Sequence, residues 1–271
     1  MKRIAIHSVP RSGSSWLGQI LNSSPNVVYR FQPLFSYAFK DYLNNKSSQN
    51  EIINFFNKIS QSNDDFLTQS SKIDSGEYPK FKKNNEFSHV VYKEVRYHHI
   101  LDNLLKKDKE LIVIGLIRSP FAVISSFLNS PREFRKDLGW NEIEEWRFAI
   151  KKNQFRKEEF YGYNKWKEVF FLFNNLSHKY PEQFKIVWYD KLLSNKIKYA
   201  KEIFSFCDLD FNNQTHNFIE NTDHNDGVYS VFKNKLDDFK WKSNLNKKII
   251  SQITEDLYQE EIYNLFNKHI L

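Results

Sequence analysis

Leu111-Ile112-Val113-Ile114-Gly115-Leu116-Ile117 is an unbroken apolar run that stops at Arg118-Ser119-Pro120. A strand with one wet face alternates apolar and polar side chains. A strand with no wet face reads continuously apolar, and such strands belong to parallel sheets covered by helices on both sides. Four other short runs suit the same sheet: residues 4–9, 27–31, 89–95 and 184–189. Apolar residues at helical spacing lie between them, at Trp16, Leu17, Ile20 and Leu21, around Ile52–Ile59, and at Ile100, Leu101, Leu104 and Leu105. Helices are also expected from Pro120 through Phe127, twice within 140–177, after Tyr189 through Cys207, and beyond Asn246. Strands alternating with helices predict an α/β fold: a single domain over residues 1–271 with a central parallel sheet flanked by helices. No internal repeat, low-complexity tract or linker divides the chain. Residues 44–88 are polar and irregular apart from the helix signals at Ile52–Ile59, part of the stretch is expected to be mobile, and residues 72–88 are expected to form a loop.

The chain has 271 residues, 40% of them hydrophobic, which is enough for a core and speaks against global disorder. Forty basic residues against 33 acidic ones give a net charge of +7. That balance suits an anionic ligand, a phosphorylated surface or nucleic acid and does not choose among them. A Lys- and Asn-rich composition accounts for it equally well. Cys207 is the one cysteine, which excludes an intrachain disulfide and a cysteine-based zinc site. The first residues, MKRIAIHSVP, are too quickly broken by Pro10 to read as a signal peptide. No apolar run reaches the length of a membrane span. A cytoplasmic protein without a transmembrane segment is expected.

The chemistry begins where the first strand breaks. Pro10-Arg11-Ser12-Gly13-Ser14-Ser15 separates that strand from a helix whose apolar stripe starts at Trp16. A turn that opens a helix presents backbone N–H groups and the positive end of the helix dipole, a combination that binds anions. Gly13 permits a positive φ or close backbone approach. Ser12, Ser14 and Ser15 add hydroxyl donors, and Arg11 adds charge. An ordinary turn with a serine cap would use the same residues. The stretch is not a Walker A loop, because its basic residue precedes the glycine, and it is not G-x-G-x-x-G. A second element stands at the end of the apolar run: Arg118, then Ser126 eight residues on. Ligands of open α/β sheets bind beyond the carboxyl ends of the strands. The arginine fork matches a phosphate dianion, and Ser126 can donate a second bond. One nucleotide could thus be held at two phosphates.

PRSGSSWL followed by R-x-P-x-x-x-x-x-S resembles the sulfotransferase family that uses 3′-phosphoadenosine 5′-phosphosulfate (PAPS) as donor. YKEVRYHHILDNLLKKDKELIVIGLIRSPFAVISS is similar to the corresponding stretch of carbohydrate-type members, FKIVWYDKLLSN to the tyrosine-containing strand end, and FKWKSNLNKKIISQI to the late Trp-Lys segment. The likeness is weakest in 40–88 and 130–180. It implies a P-loop-like sulfotransferase fold, PAPS as co-substrate, adenosine 3′,5′-bisphosphate (PAP) as product, and no required metal. By the same resemblance Arg11 contacts the phosphosulfate and its bridging oxygen, and Ser12, Gly13, Ser14 and Ser15 form the cradle. Arg118 and Ser126 clamp the 3′-phosphate, and Tyr189 belongs to the nucleotide region. Trp16 falls where cytosolic members stack an aromatic ring on adenine, although a core tryptophan fits the pattern as well.

Lys93 matches a lysine that shares stabilisation of the leaving group. The cytosolic histidine two residues on is Val95 here, and the carbohydrate-type Glu-Pro after the second strand is Gln32-Pro33. Gln32 can orient an acceptor but cannot act as a base. Glu94, His98 and His99 remain as candidate bases. Alternation on a strand turns Glu94 away from Lys93, which favours an ion-pair role, and a surface or capping role suits both histidines. His7 reads as a packing residue. The acceptor is expected to be a glycan or glycolipid hydroxyl, with a small phenol or alcohol still open. Two other readings compete. A nucleotide kinase would need magnesium ligands that are not apparent. A nucleic-acid binder would need aromatics interleaved with a basic stripe, whereas these are spread over core strands and helices.

Overall fold

The computed structural model describes residues 1–221, 231, 238–259 and 262. Five strands form one sheet: β1 (Lys2–His7), β2 (Val27–Phe31), β3 (His89–Glu94), β4 (Leu111–Ile117) and β5 (Phe184–Trp188). All pairings are parallel, and the order is β2-β3-β1-β4-β5. The continuous apolar run is β4, seated between β1 and β5 and buried at every position but half-buried Ile112. The expected α/β architecture of a central parallel sheet flanked by helices is therefore present. Strand ends differ by a residue or two. β1 starts and stops two residues earlier than the apolar pattern suggests, and Tyr189 opens a helix instead of closing β5.

Each face of the sheet carries its own core. On one face Ile4, Ile6, Val91, Ile114 and Leu116 pack under Trp16, Leu17, Ile20 and Leu21 of the Ser14–Asn22 helix. On the other, Ala5, Val90, Tyr92, Val113 and Ile117 pack under Val123, Ile124 and Phe127 of the Pro120–Leu128 helix. The helix after β1 and the helix after β4 thus cover opposite faces. Strand order also reverses between β1 and β4, since β1 leads toward β3 and β2 while β4 leads to β5. Such a switch point opens a crevice at the carboxyl ends of the two strands.

Peripheral elements are fastened by polar side chains. Ser48 and Glu51 form a capping box on the Gln49–Gln61 helix. Arg30 of β2 meets its far end, donating to the carbonyls of Ile59 (2.6 Å), Ser60 (2.7 Å) and Ser62 (3.0 Å). The expected loop at 72–88 begins inside a short helix, Ser70–Asp74. The rest is irregular but tethered: Lys83 Nζ donates to the carbonyls of Asn22, Ser24 and Val27, and the Ser88 amide donates to Asn26 O. Residues 140–177 hold three helices where two were expected, Glu142–Glu145, Ile150–Asn153 and Tyr163–Lys179. The C-terminal helix runs Lys247–Gln259. No helix of the described residues is long and apolar enough to cross a membrane.

Candidate active site

The turn after β1 places two residues in the left-handed region, Arg11 at φ 70° and Gly13 at φ 91°. Gly13 is constrained twice. Its φ disfavours any side chain, and a Cβ there would lie 2.3 Å from Cε2 of Tyr189. Gly13 occupies the cap position of the Ser14–Asn22 helix, and no side chain caps that helix end. The first N–H groups of a helix have no partner within it, so here they are left to whatever enters the crevice. Ser14 and Ser15 line that crevice beside Gly13. Ser12 does not. It is fully buried, and its hydroxyl has no hydrogen-bond partner among the described residues.

The β4 end approaches the same turn from the other face of the sheet. Arg118 Nη1 donates to Arg11 O at 2.8 Å, and its Nε donates to Asp238 Oδ1 at 2.7 Å. Its guanidinium carbon stands 4.8 Å from the Tyr189 ring centroid. Trp166 Nε1 donates to the Arg118 carbonyl at 2.9 Å, which holds the strand end in place. Arg11 Nε donates to Ser126 Oγ at 3.1 Å, and Arg11 Nη1 lies 3.9 Å from Glu133 Oε1. Tyr189 is the hub of this arrangement. Its ring fills the space left by Gly13, supports Arg118 and receives Trp16 edge-on at 6.2 Å. Burial pushes its hydroxyl up to about 12. Trp16 is both core residue and cleft wall, 7% exposed and part of the lining.

The cleft has a volume of about 480 Å³ and extends from this turn toward the ends of β2 and β3. Lys93 lines it, with Nζ 4.1 Å from the Phe31 ring centroid. Burial draws the Lys93 ammonium down to about 7, an effect opposed by nearby Glu94 and reinforced by Arg96, Lys72 and Arg11. Glu94 faces the other side of the sheet, as strand alternation requires. Its Oε1 accepts the Leu34 amide at 2.8 Å, its Oε2 is buried without a partner, and it does not line the cleft. Burial raises its carboxyl to about 7. The structure thus places Glu94, expected as a catalytic group, away from the cleft lining, where it holds the Pro33–Phe35 turn. Gln32, at φ 42°, does line the cleft, and its carbonyl accepts Arg96 Nη1 at 2.9 Å. Arg96 is itself paired with Glu159 at 2.9 Å.

The histidines also lie outside the cleft. His98 is fully buried, not surface-placed, and its Nδ1 is 2.9 Å from His7 Nδ1. His7 Nε2 in turn meets the Tyr92 hydroxyl at 3.3 Å. His99 is half-buried and its Nδ1 has no partner.

These geometries can be set beside known proteins. The Sulfotransferase family model matches residues 3–213. The chain belongs to the sulfotransferase family. No curated relative matches the sequence. Among solved structures the chain is similar to mouse sulfotransferase SULT7A1 complexed with PAP, at 12% identity and a TM-score of 0.51, covering 99% of this chain and 89% of that one. It is similar to the sulfotransferase domain from the curacin biosynthetic pathway at 18% identity and a TM-score of 0.51, covering 93% and 96%. It is likewise similar to a sulfotransferase from Alicyclobacillus acidocaldarius at 11% identity and a TM-score of 0.50, covering 97% and 95%. At such identities the likeness is one of fold, and it agrees with the P-loop-like sulfotransferase fold expected from the motifs.

This sulfotransferase brings Arg11, Gly13, Ser14, Ser15, Trp16, Lys93, Arg118, Ser126 and Tyr189 to one cleft. Further lining comes from residues that sequence reasoning missed, among them Phe66, Lys72, Arg132, Glu133, Lys152 and Tyr161. They lie on connecting segments where a chain rich in lysine and phenylalanine offers no pattern to mark them out.

Proposed function

We propose that the chain transfers a sulfuryl group from PAPS to an acceptor hydroxyl, on a glycan or glycolipid. One observation carries this reading. The uncapped helix end behind Arg11 and the Arg118–Ser126 element reach one cleft from opposite faces of the sheet, with Arg11 Nε 3.1 Å from Ser126 Oγ. The fit to the donor rests on the glycine cradle against Tyr189 and on the open amide groups, which suit a phosphosulfate at one end while Arg118 suits a phosphate at the other. Ser14 stands where a Walker A loop has its lysine, which disfavours a nucleotide kinase.

When bound, the donor supplies a sulfuryl group already attached to a phosphate leaving group. The chain's own residues then position and neutralise, the dominant contributions in related phosphoryl transfer. Arg118 and Ser126 hold the 3′-phosphate, while the amide groups of the turn with Ser14 and Ser15 hold the phosphosulfate. Arg11 meets the charge that grows on the bridging oxygen. Lys93 shares that task, because an anion beside it restores the proton that burial weakens. Glu133 is the only acid among the described residues that line the cleft. We assign it the acceptor's proton: the new sulfur–oxygen bond forms as the bond to the bridging oxygen breaks, and the hydroxyl proton passes to the Glu133 carboxylate. The aromatic lining by Phe31, Phe35 and Phe66 supports a saccharide acceptor, whose ring faces pack on such surfaces.

The test is calorimetry with PAP in the presence of a chelator, beside ATP–magnesium, followed by transfer from labelled PAPS to glycan, glycolipid and phenol acceptors. PAP is expected to bind without metal. Binding that vanishes with chelator, or binding of ATP–magnesium alone, overturns the reading.

A further inference from the structure

The cleft holds more positive charge than the two ends of the donor call for. Arg11, Lys72, Lys93, Arg96, Arg118, Arg132 and Lys152 line it, against the single carboxylate of Glu133. Arg96 is balanced by Glu159, and Arg118 by Asp238. Arg11 and Arg118 stand at the β1–β4 end. Lys72 and Lys93 stand toward β2 and β3, where the wall is aromatic. Phe31 and Phe66 meet edge to face at 5.5 Å, and Phe35 joins Phe66 at 6.1 Å.

Two ammonium groups share the Phe31 ring, Lys93 at 4.1 Å and Lys72 at 5.7 Å from its centroid. Lys72 also lies 5.1 Å from the Tyr78 ring centroid. Lys72 is half-buried and its polar surroundings are sparse. Asp65 and Glu77 act on it only through space, and Arg132 opposes it with like charge. An aromatic face offsets only part of a cation's lost hydration, and a half-buried ammonium without a close counterion is stabilised further by one. The geometry around Lys72 is completed by an anion that arrives with a ligand.

Resting on the sulfotransferase reading of the cleft, we propose that the acceptor is itself anionic. Its body lies on the Phe31, Phe35 and Phe66 wall, and its own carboxylate or sulfate ester is received by Lys72. An acidic saccharide, with a uronate or an existing sulfate near the hydroxyl to be modified, has this chemistry.

The test uses two sugars that differ only in that charge, 4-nitrophenyl β-glucuronide and 4-nitrophenyl β-glucoside, binding to the full chain saturated with PAP. Titration by calorimetry or ligand-observed NMR should show the glucuronide bound about tenfold tighter. Lys72→Gln should erase that preference, Lys72→Arg should keep most of it, and neither should alter PAP affinity. Equal affinity for the two sugars, no binding of either at millimolar concentration, or a preference that survives Lys72→Gln overturns the acceptor assignment while PAP binding stays intact. Loss of PAP binding to the unaltered protein overturns the sulfotransferase reading and this assignment with it.

Discussion

Arg118→Ala separates two roles that the structure gives to one side chain. The guanidinium faces the site proposed for the 3′-phosphate, and it also donates to the Arg11 carbonyl at 2.8 Å, steadying the turn proposed to receive the phosphosulfate. Losing that hydrogen bond should weaken every nucleotide by about 1 kcal/mol, roughly fivefold. Losing the charge opposite the 3′-phosphate should weaken only nucleotides that carry one. A charge-assisted bond of this kind contributes about 1.5–3 kcal/mol. Arg118 must release Asp238, at 2.5 Å in its present pairing, and its side chain is 15% exposed, so part of the gain is offset. The pair is largely buried, and the offset is about 1 kcal/mol, the net worth of a typical hydrogen bond. A specific loss of about 2 kcal/mol, near 30-fold, is left. The assay is a calorimetric cycle on folded protein: wild type and Arg118→Ala, each with PAP and with adenosine 5′-phosphate. The PAP loss should exceed the adenosine 5′-phosphate loss by that amount. If the two losses agree within about 0.5 kcal/mol, the usual scatter of independent effects, Arg118 supports the loop and does not read the phosphate.

Gly13→Ala forces a side chain onto a residue at φ 91° and drives its Cβ to 2.3 Å from the Tyr189 ring. Strain of about 1–3 kcal/mol should lower the Tm and cut PAP affinity by about tenfold or more, and undiminished affinity would count against the cradle. Glu133→Gln should lower turnover by about 10²-fold or more while PAP binding is retained or tightened, since Arg11 loses a competing carboxylate; an unchanged turnover excludes Glu133 as the base. Burial draws His7 from its ordinary 6.5 to about 3 and holds His98 well below its ordinary value, so both stay neutral in the fold but take protons when unfolded. Their contribution is present above the ordinary histidine value and is lost as pH falls toward the lowered values, by about 2 kcal/mol for His7 at about pH 5. Urea unfolding at neutral and acid pH should show this loss, and His7→Gln should remove the His7 share of it; an identical acid loss in the variant refutes the assignment.

Local signals proved sufficient for the parts that act locally. Strand, turn and helix at residues 2–22 are contiguous, so the apolar run, Gly13 and the serines mark a strand, a tight turn and a helix start before any contact is known. The break at Arg118-Ser119-Pro120 marked a strand end in the same way. Strand alternation also separated Lys93, which lines the cleft, from Glu94, which turns to the Leu34 amide. Period-two geometry needs no tertiary information.

Other features depend on partners far away in the chain. His98 is buried because the ring fits between His7 and Phe160, at 5.2 and 4.4 Å between centroids, and nothing near His98 in sequence announces either neighbour. Ser12 and Ser15 are alike as residue types, and only the path of the turn sends one inward and the other to the cleft. The strand order β2-β3-β1-β4-β5 and the placement of the helices after Gly13 and after Arg118 on opposite faces follow from how the crossover helices pack. The sequence by itself determined the sheet-and-helix alternation and the two elements at strand ends, because hydrophobic periodicity, glycine and proline act through the nearest few residues. Only the tertiary structure decided that Lys72, Glu133 and the Phe31–Phe66 wall complete the cleft, because burial and charge compensation are properties of neighbours in space.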